Sequence, residues 1–307
     1  MIVSYDSVTH QEIQWLNRIV FSGYEFPPPD QMELLRRHDQ RIPQEVGWYF
    51  KENNKIVSQV GYLIYKIQTR DGEQKTGIPY AVATLPNYQR RGFGKQLMEK
   101  VHSRMREQRC KYSILATSNR WLAHTWYQKL GYIDLASLCI VYGSINNINH
   151  EGWSIRHVKE GDESQLASLF NELHKEDLGF ITRPPNFLTI MNLWNDRKIS
   201  MHVLEDSGEV VGFVNLITST VNDISELVIS KKYSEMDWIK FISNGDTMIY
   251  PSPHQSFELK KNPELEHNEG DAVMMIKDLD EELAPDQIFE ELGTKDNKFT
   301  AHRFDRF

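Results

Sequence analysis

Between Tyr80 and Met105 the hydrophobic period of the chain changes from that of a strand to that of a helix across two glycines, and this junction restricts the fold more than any other stretch. Tyr80-Ala81-Val82-Ala83-Thr84-Leu85 reads as a short buried strand, which Pro86-Asn87 stops. Phe93, Leu97, Val101 and Met105 then recur every fourth residue with Met98 beside them, while Lys95, Glu99, Lys100, Arg104 and Arg106 take the other face. Gln89-Arg90-Arg91-Gly92-Phe93-Gly94-Lys95 therefore lies at a helix start. A helix start offers unpaired N–H groups and the positive end of the dipole, so an anion such as pyrophosphate gains charge-assisted hydrogen bonds there. Gly92 and Gly94 leave the backbone approachable, and Arg90, Arg91 and Lys95 add positive charge. The spacing is neither that of a Walker loop nor that of the three-glycine dinucleotide fingerprint.

The pattern Gln/Arg-x-x-Gly-x-Gly after a strand, in Val82 to Gly94, resembles the acetyl-coenzyme A loop of the GNAT N-acetyltransferases. Further on, Ala123-His124-Thr125-Trp126-Tyr127-Gln128-Lys129-Leu130-Gly131-Tyr132 is similar to the Ala-x-x-x-Tyr-Glu-Lys-Leu-Gly-Phe segment that closes the same site in that family. The resemblance covers about residues 1 to 143. It implies acetyl-coenzyme A as donor, held by Val82, Ala83, Thr84 and the loop Gln89, Arg90, Arg91, Gly92, Phe93, Gly94 and Lys95. Val82 or a neighbour supplies a backbone N–H to the thioester oxygen, Thr84 meets the pantetheine amides, and Tyr127 stands where the family has its acid for the leaving thiolate. Asn119 is a weaker candidate for pantetheine contact, one residue farther from Tyr127 than the family's asparagine. For the base that deprotonates the acceptor, His124, Tyr80 and Glu25 are candidates, each more commonly structural. The carboxyl end, after Ala301-His302-Arg303-Phe304-Asp305-Arg306-Phe307, is another, a frayed terminus being the safer expectation.

Composition agrees with a two-domain protein free of membrane spans. At 307 residues the chain should bury two modest cores, and with 40% hydrophobic residues no apolar run approaches membrane-spanning length. The amino-terminal Met1-Ile2-Val3-Ser4-Tyr5-Asp6 does not read as a signal peptide, which points to the cytoplasm. Cys110 and Cys139 sit in apolar or helix-end settings and read as structural thiols rather than nucleophiles, and no metal site is expected. The net charge of −8 conceals an asymmetry: residues 1–150 carry 19 Lys and Arg against 13 Asp and Glu, residues 151–307 carry 16 against 30. A basic half suits a ligand with several phosphates, and an acidic half can steer a cationic amine or simply be solvated surface. Nucleic-acid binding is disfavoured, because no basic face with interleaved aromatics stands out. Trp15, Trp48, Trp194 and Trp238 are candidates for a homodimer patch, although core packing is the commoner use.

Along the first half, helices are expected at Glu12 to Phe21 and Gln31 to Arg37, and a hairpin from Val46 to Lys51 and Ile56 to Gln68 turning on Asn53-Asn54. Thr76 to Leu85 is a strand, 92–108 a helix, Tyr112 to Thr117 a strand, Trp121 to Leu130 a helix and Ile133 to Tyr142 a final strand region. That order resembles the GNAT fold, an α/β (α+β) arrangement with a mixed, mostly antiparallel sheet flanked by helices. The polar stretch 144–152 reads as a linker. Beyond it, Trp153 to Val158, the helical Glu163 to Leu173, the hairpin Met201 to Val214 and the strand Asp223 to Ser230 echo the first half. Where this copy should carry the glycine loop it has Lys231-Lys232-Tyr233-Ser234-Glu235-Met236-Asp237-Trp238. The expectation is a catalytic GNAT domain at 1–143, a degenerate GNAT-like domain at 153–283 without a cofactor loop, and a C-terminal tail at 284–307. Tandem GNAT proteins of the enhanced intracellular survival type are built that way, but this chain is too short after residue 283 for their third domain. The implied activity is N-acetylation of a small primary amine, with a non-catalytic acyl-coenzyme A sensor or interaction module as the alternative.

Overall fold

The computed structural model describes residues 1–22, 26–194, 200–218 and 222–301. The first half runs β1 (Ile2–Ser4), α1 (His10–Val20), α2 (Pro29–His38), β2 (Gly47–Glu52), β3 (Lys55–Thr69) and β4 (Gly72–Thr84). It continues through α3 (Phe93–Glu107), β5 (Tyr112–Ser118), α4 (Leu122–Lys129), β6 (Ile133–Ser137) and β7 (Ile140–Ile145). The second half contains β8 (Trp153–His157), α5 (Asp162–His174), α6 (Phe187–Trp194), β9 (Ser200–Asp206), β10 (Glu209–Thr218) and β11 (Asn222–Ile229). After these come α7 (Glu235–Ile242), β12 (Gly245–Ile249), α8 (Pro253–Leu259), β13 (Glu266–Asn268), β14 (Ala272–Asp278) and α9 (Pro285–Glu291).

Local chemistry explains most of these elements. Thr9 and Glu12 close a capping box on α1, and Pro29 opens α2 at a position where its missing N–H costs nothing. Asn53 and Asn54 both take positive φ, 50° and 60°, as the turn between β2 and β3 requires. The apolar stripe of α3 is fully buried: Leu97, Met98, Val101 and Met105 pack with Val60, Tyr62 and Tyr127 on one face of the first sheet. On the opposite face Ile13 and Leu16 of α1 and Met32 and Leu35 of α2 cover Leu63, Tyr65, Ile78 and Tyr80.

The expected α/β architecture with mostly antiparallel sheets is present twice. One sheet has the order β1-β2-β3-β4-β5-β14-β6 and the other, read from β8, the order β8-β9-β10-β11-β12-β7-β13. Position by position the two match, with a parallel pair at β4/β5 and again at β11/β12. The strand region expected at Ile133 to Tyr142 is split, however, between sheets. β6 stays in the first, whereas β7 crosses over and pairs with β12 and β13. In exchange β14 returns from the second half and inserts between β5 and β6, pairing with β5 from Tyr112↔Asp278 to Ser118↔Ala272. Residues 144 and 145 of the expected linker are therefore still strand. A strand that completes a sheet so far along the chain from its partners leaves no local sign of its destination.

The segment expected as a tail is folded as far as residue 301. Glu291 of α9 is buried and receives Lys111 Nζ at 2.6 Å and the Tyr112 hydroxyl at 2.7 Å. Leu178 N–H donates to Lys298 O at 2.9 Å and Thr300 N–H to Leu178 O at 2.8 Å, while Ile67 bridges Ile181. The second half also enters the first core through α6: Trp194 Nε1 donates to Asp39 Oδ2 at 2.7 Å, and its ring meets Tyr80 edge-on. Of the tryptophans considered for an interface, Trp194 and Trp238 are buried and Trp15 is 65% exposed. Both cysteines are buried and free, and burial raises both thiols above their ordinary range. Among the described residues no cluster could hold a metal ion and no helix is long and apolar enough to cross a membrane.

Two predictions follow from this architecture. Residues 1–143 produced alone would expose the β5 edge that β14 covers, so that fragment should aggregate or remain unfolded, and co-production with residues 144–307 should restore a soluble complex by size exclusion. The second concerns His102, buried in α3 with its Nε2 2.9 Å from the Tyr132 hydroxyl. Burial lowers its pKa from 6.5 to about 4, so the native state holds it neutral. The unfolded chain takes up the proton first as pH falls, so stability present above pH 6.5 should decline by about 3 kcal/mol on going to pH 4. Urea titrations across that range should show the decline, and His102→Gln should remove this share of it.

Candidate functional site

β4 and β5 are paired at only two positions, Thr76↔Tyr112 and Gly77↔Ser113. Beyond them β5 continues to Ser118 against β14, and β4 continues to Thr84 against β3, so the two strands part in a V. Three features hold it open. Gly77 lies against Met105 of α3, whose side chain fills the space a Cβ would need. β4 carries one extra residue between Tyr80 and Ala83, a bulge that leaves Ala81 and Val82 outside the register with β3 and sets Ala81 at φ 48°. Finally, Gln59 clamps the bulge, donating from Nε2 to Ala81 O at 3.1 Å and to Asn17 Oδ1 of α1 at 2.5 Å. Neither Gln59 nor Asn17 is prominent in the sequence, since isolated amides in a strand and a helix carry no motif.

The glycine loop sits directly above the V. Gly92 is the N-cap of α3 with φ 82°, a left-handed conformation that suits glycine. No side chain caps this helix and no acidic residue lies in its first turn, so its opening N–H groups face outward for an anion. Gly94 is different: a Cβ there would make ordinary contacts, 3.5 Å from Thr84 Oγ1 and from Trp126 Cζ2. It keeps open the space between β4, α3 and α4. Thr84 Oγ1 lies 2.8 Å from Ser58 Oγ, which also donates to Ala83 O at 2.8 Å. Gln89 Nε2 reaches Thr84 O at 3.4 Å.

The loop cations divide by environment. Arg90 is exposed, at φ 62°, and forms no ion pair with another described residue. Arg91 pairs with Glu52 at 3.2 Å and lies over the Tyr88 ring, and Lys95 reaches Glu99 at 3.7 Å on the surface. Phe93 stacks on Phe50 with centroids 4.1 Å apart, which anchors the loop to β2.

Tyr127 is buried in α4 between Trp126 and Tyr132, with ring centroids 5.1 and 5.7 Å away. Burial alone raises its phenol well above the ordinary value, and its hydroxyl makes no hydrogen bond to another described residue. Asn119 is exposed in the turn after β5, its N–H donating to Asp271 O at 2.6 Å. His124 Nε2 lies 2.8 Å from Asp134 Oδ1 of β6, a pairing that occupies one ring nitrogen. Tyr80 stands against Gly61 on the α1/α2 face. Glu25 and residues 302–307 lie outside the described residues. The structure thus brings Thr84, Gln89, Gly94 and Trp126 together, with Tyr127 packed behind Trp126.

The second half repeats the scaffold and closes it. β11 also bulges, at Ser225, where Asn215 Nδ2 donates to Ser225 Oγ at 2.8 Å, and β11 pairs with β12 only from Asn222 to Ile224. There, however, Gln255 of α8 ties β11 to the start of α7, its Nε2 donating to Leu227 O and to Glu235 Oε1, each at 2.9 Å. α7 is capped by Ser234, which accepts from Asp237 N–H, and carries Glu235 and Asp237 in its first turn. An anion would meet carboxylates where α3 offers free N–H groups.

Residues 4–133 match the family model of the acetyltransferase (GNAT) domain. No curated protein matches the chain. A conserved protein of unknown function from Enterococcus faecalis V583, described as a probable N-acyltransferase, is similar with a TM-score of 0.71 at 15% identity, over 91% of this chain and 72% of its own. A GCN5-related N-acetyltransferase from Anabaena variabilis ATCC 29413 gives 0.69 at 15% identity over 91% and 72%. Eis1 from Mycobacterium abscessus gives 0.63 at 12% identity over 91% and 74%. At such identities the likeness establishes the fold. Residues 4–133, the part that carries the V, the glycine loop and Tyr127, are thus identified as an acetyltransferase (GNAT) domain, within a chain that shares the fold of these structures.

Proposed function

We propose that the protein transfers an acetyl group from acetyl-coenzyme A to a primary amine of a small molecule by direct attack on the thioester, with the catalytic groups in residues 1–143. The observation that carries this reading is the parting of β4 from β5 directly below an uncapped, carboxylate-free helix start. In this reading the N–H groups of residues 92–95 and the free guanidinium of Arg90 take the pyrophosphate, with Arg91 and Lys95 adding charge at the rim. Ala83 and Thr84 run beside pantetheine, and Asn119 borders it. Val82, released from the β3 register by the bulge, turns its N–H toward the thioester oxygen as that oxygen gains negative charge. Residues 153–283 are a degenerate repeat, joined through 144–152, that shapes the acceptor side. We place the protein in the cytoplasm.

The proton balance assigns Tyr127 its role. The amine nitrogen forms a C–N bond to the acetyl carbon, the C–S bond breaks, and the departing thiolate takes the phenol proton. A phenol of raised pKa is a weaker acid in isolation, but the same dry surroundings raise the basicity of the thiolate beside it, so the transfer keeps its direction. The ammonium must first lose a proton, which at pH 7 costs about 4.6 kcal/mol for an amine of pKa near 10.4. Water reaching the V can take that first proton, and the second proton, shed by the nitrogen once the C–N bond has formed, returns through solvent to the Tyr127 phenolate.

Tyr127→Phe should lower kcat at least a hundredfold while calorimetric affinity for acetyl-coenzyme A stays within twofold; full activity would remove Tyr127 from the role of acid. Gly94→Glu adds a carboxylate between Thr84 and Trp126 at a position where a Cβ is sterically accommodated. Binding of acetyl-coenzyme A should be abolished with melting temperature nearly unchanged, and unaltered affinity would refute the loop assignment.

A further inference from the structure

The C=O of Ala81 and the N–H of Val82 belong to one planar trans peptide, so they point in opposite directions. Gln59 of β3 donates to that carbonyl at 3.1 Å, on the β3 side of β4. The Val82 N–H is therefore directed away from β3, toward the gap that β5 leaves as it parts from β4. The same bond acts on strength as well as direction. A donor on the carbonyl oxygen draws electron density along the amide and makes the N–H of that unit a better donor. Asn17 Oδ1 accepts from the same Nε2 at 2.5 Å and fixes the rotation of the Gln59 amide.

This arrangement costs the fold stability. Ala81 is held at φ 48°, where a residue with a Cβ is strained. Asn17 and Gln59 are 0% and 3% exposed, yet Asn17 Nδ2 and Gln59 Oε1 have no hydrogen-bond partner among the described residues. Two apolar side chains would fill the same space without orphaned polar atoms. The second sheet supplies the contrast. Its bulge at Ser225 contains no residue of positive φ, and there the Asn215 amide donates to the Ser225 hydroxyl instead of to a backbone carbonyl. Strain and clamp coincide in the half that carries the glycine loop.

We propose that Gln59, steadied by Asn17, is a positioning residue for acyl transfer: through the Ala81 carbonyl it aims and polarises the Val82 N–H toward the thioester oxygen. It touches neither reactant and acts through one peptide unit. This rests on the acetyl-transfer reading above and adds to it the residues that prepare the oxygen-binding N–H before the coenzyme arrives.

The test needs no acceptor. Isotope-edited infrared spectra of acetyl-coenzyme A, labelled with carbon-13 at the thioester carbonyl, are recorded in complex with the wild-type protein, with Gln59→Met and with the double variant Asn17→Leu/Gln59→Met, and calorimetry gives each affinity. In the wild type the bound carbonyl should absorb below its frequency in an apolar solvent. In both variants the band should move up to that frequency, while affinity stays within about twofold because the anion contacts at α3 are untouched. The double variant leaves no orphaned amide, so its melting temperature should equal or exceed that of the wild type, and it serves as the test where Gln59→Met alone is unstable. A band that stays at the wild-type position in the variants would overturn the proposal. Loss of affinity together with the band shift, or a double variant that fails to fold, would make the amides structural and overturn it equally. A wild-type band already at the apolar-solvent frequency would remove the Val82 N–H from the thioester oxygen, overturning this proposal and leaving acetyl transfer standing. Failure of the wild-type protein to bind acetyl-coenzyme A in the calorimeter is a separate result, and it would overturn the transfer reading and this one together.

Discussion

Two parallel strands that pair at two positions and then separate are the constraint on which the rest of this molecule depends. Adjacent strands ordinarily continue to pair, because an unpaired N–H or C=O inside a protein is costly. Here β4 is bent away by its extra residue and by the Gln59 amide on Ala81 O, while β5 is drawn to β14 along its whole length. The V is thus produced by competing partners on the outer edges. It also sets a bulged backbone beside a helix start, the juxtaposition on which the proposed acetyl transfer rests.

The second sheet shows how little separates a ligand site from a closed structure. It has the same strand order, a bulge at Ser225 and a short parallel pair. What differs is local polarity. Ser234 caps α7, Glu235 and Asp237 repel anions, and Gln255 ties β11 to α7 with two hydrogen bonds. One helix start has a side-chain cap on a first-turn N–H and the other has none. The charge asymmetry of the chain follows the same division, with the basic half carrying the open helix start.

Much of the first half was legible because its signals are local. The Asn53-Asn54 turn, the four-residue period of α3 and the two glycines act within a few residues of where they stand, and each of those elements lies within a few residues of its expected limits. The candidate site was legible in part. Gly92 and Tyr127 belong to segments with recognisable spacing, whereas Gln59 and Asn17 are unremarkable residues brought together across 42 positions. The terminal segment 284–301 was misread as a tail because its anchors, Glu291 on Lys111 and Tyr112 and Thr300 on Leu178, are all distant in sequence.

What the sequence determined by itself was a strand, a glycine loop and an amphipathic helix in the order that makes an uncapped helix start, followed by a segment bearing Tyr127. Those properties follow from backbone freedom and hydrophobic period, which act between neighbours. Only the tertiary structure decided that β7 and β14 change places between the sheets, that α6 enters the first core, and that Ile181 bridges Ile67 of the first sheet. Pairing of a strand edge and burial of an apolar side chain can be satisfied by any suitable partner in the chain. Which partner does so is settled when the whole molecule packs.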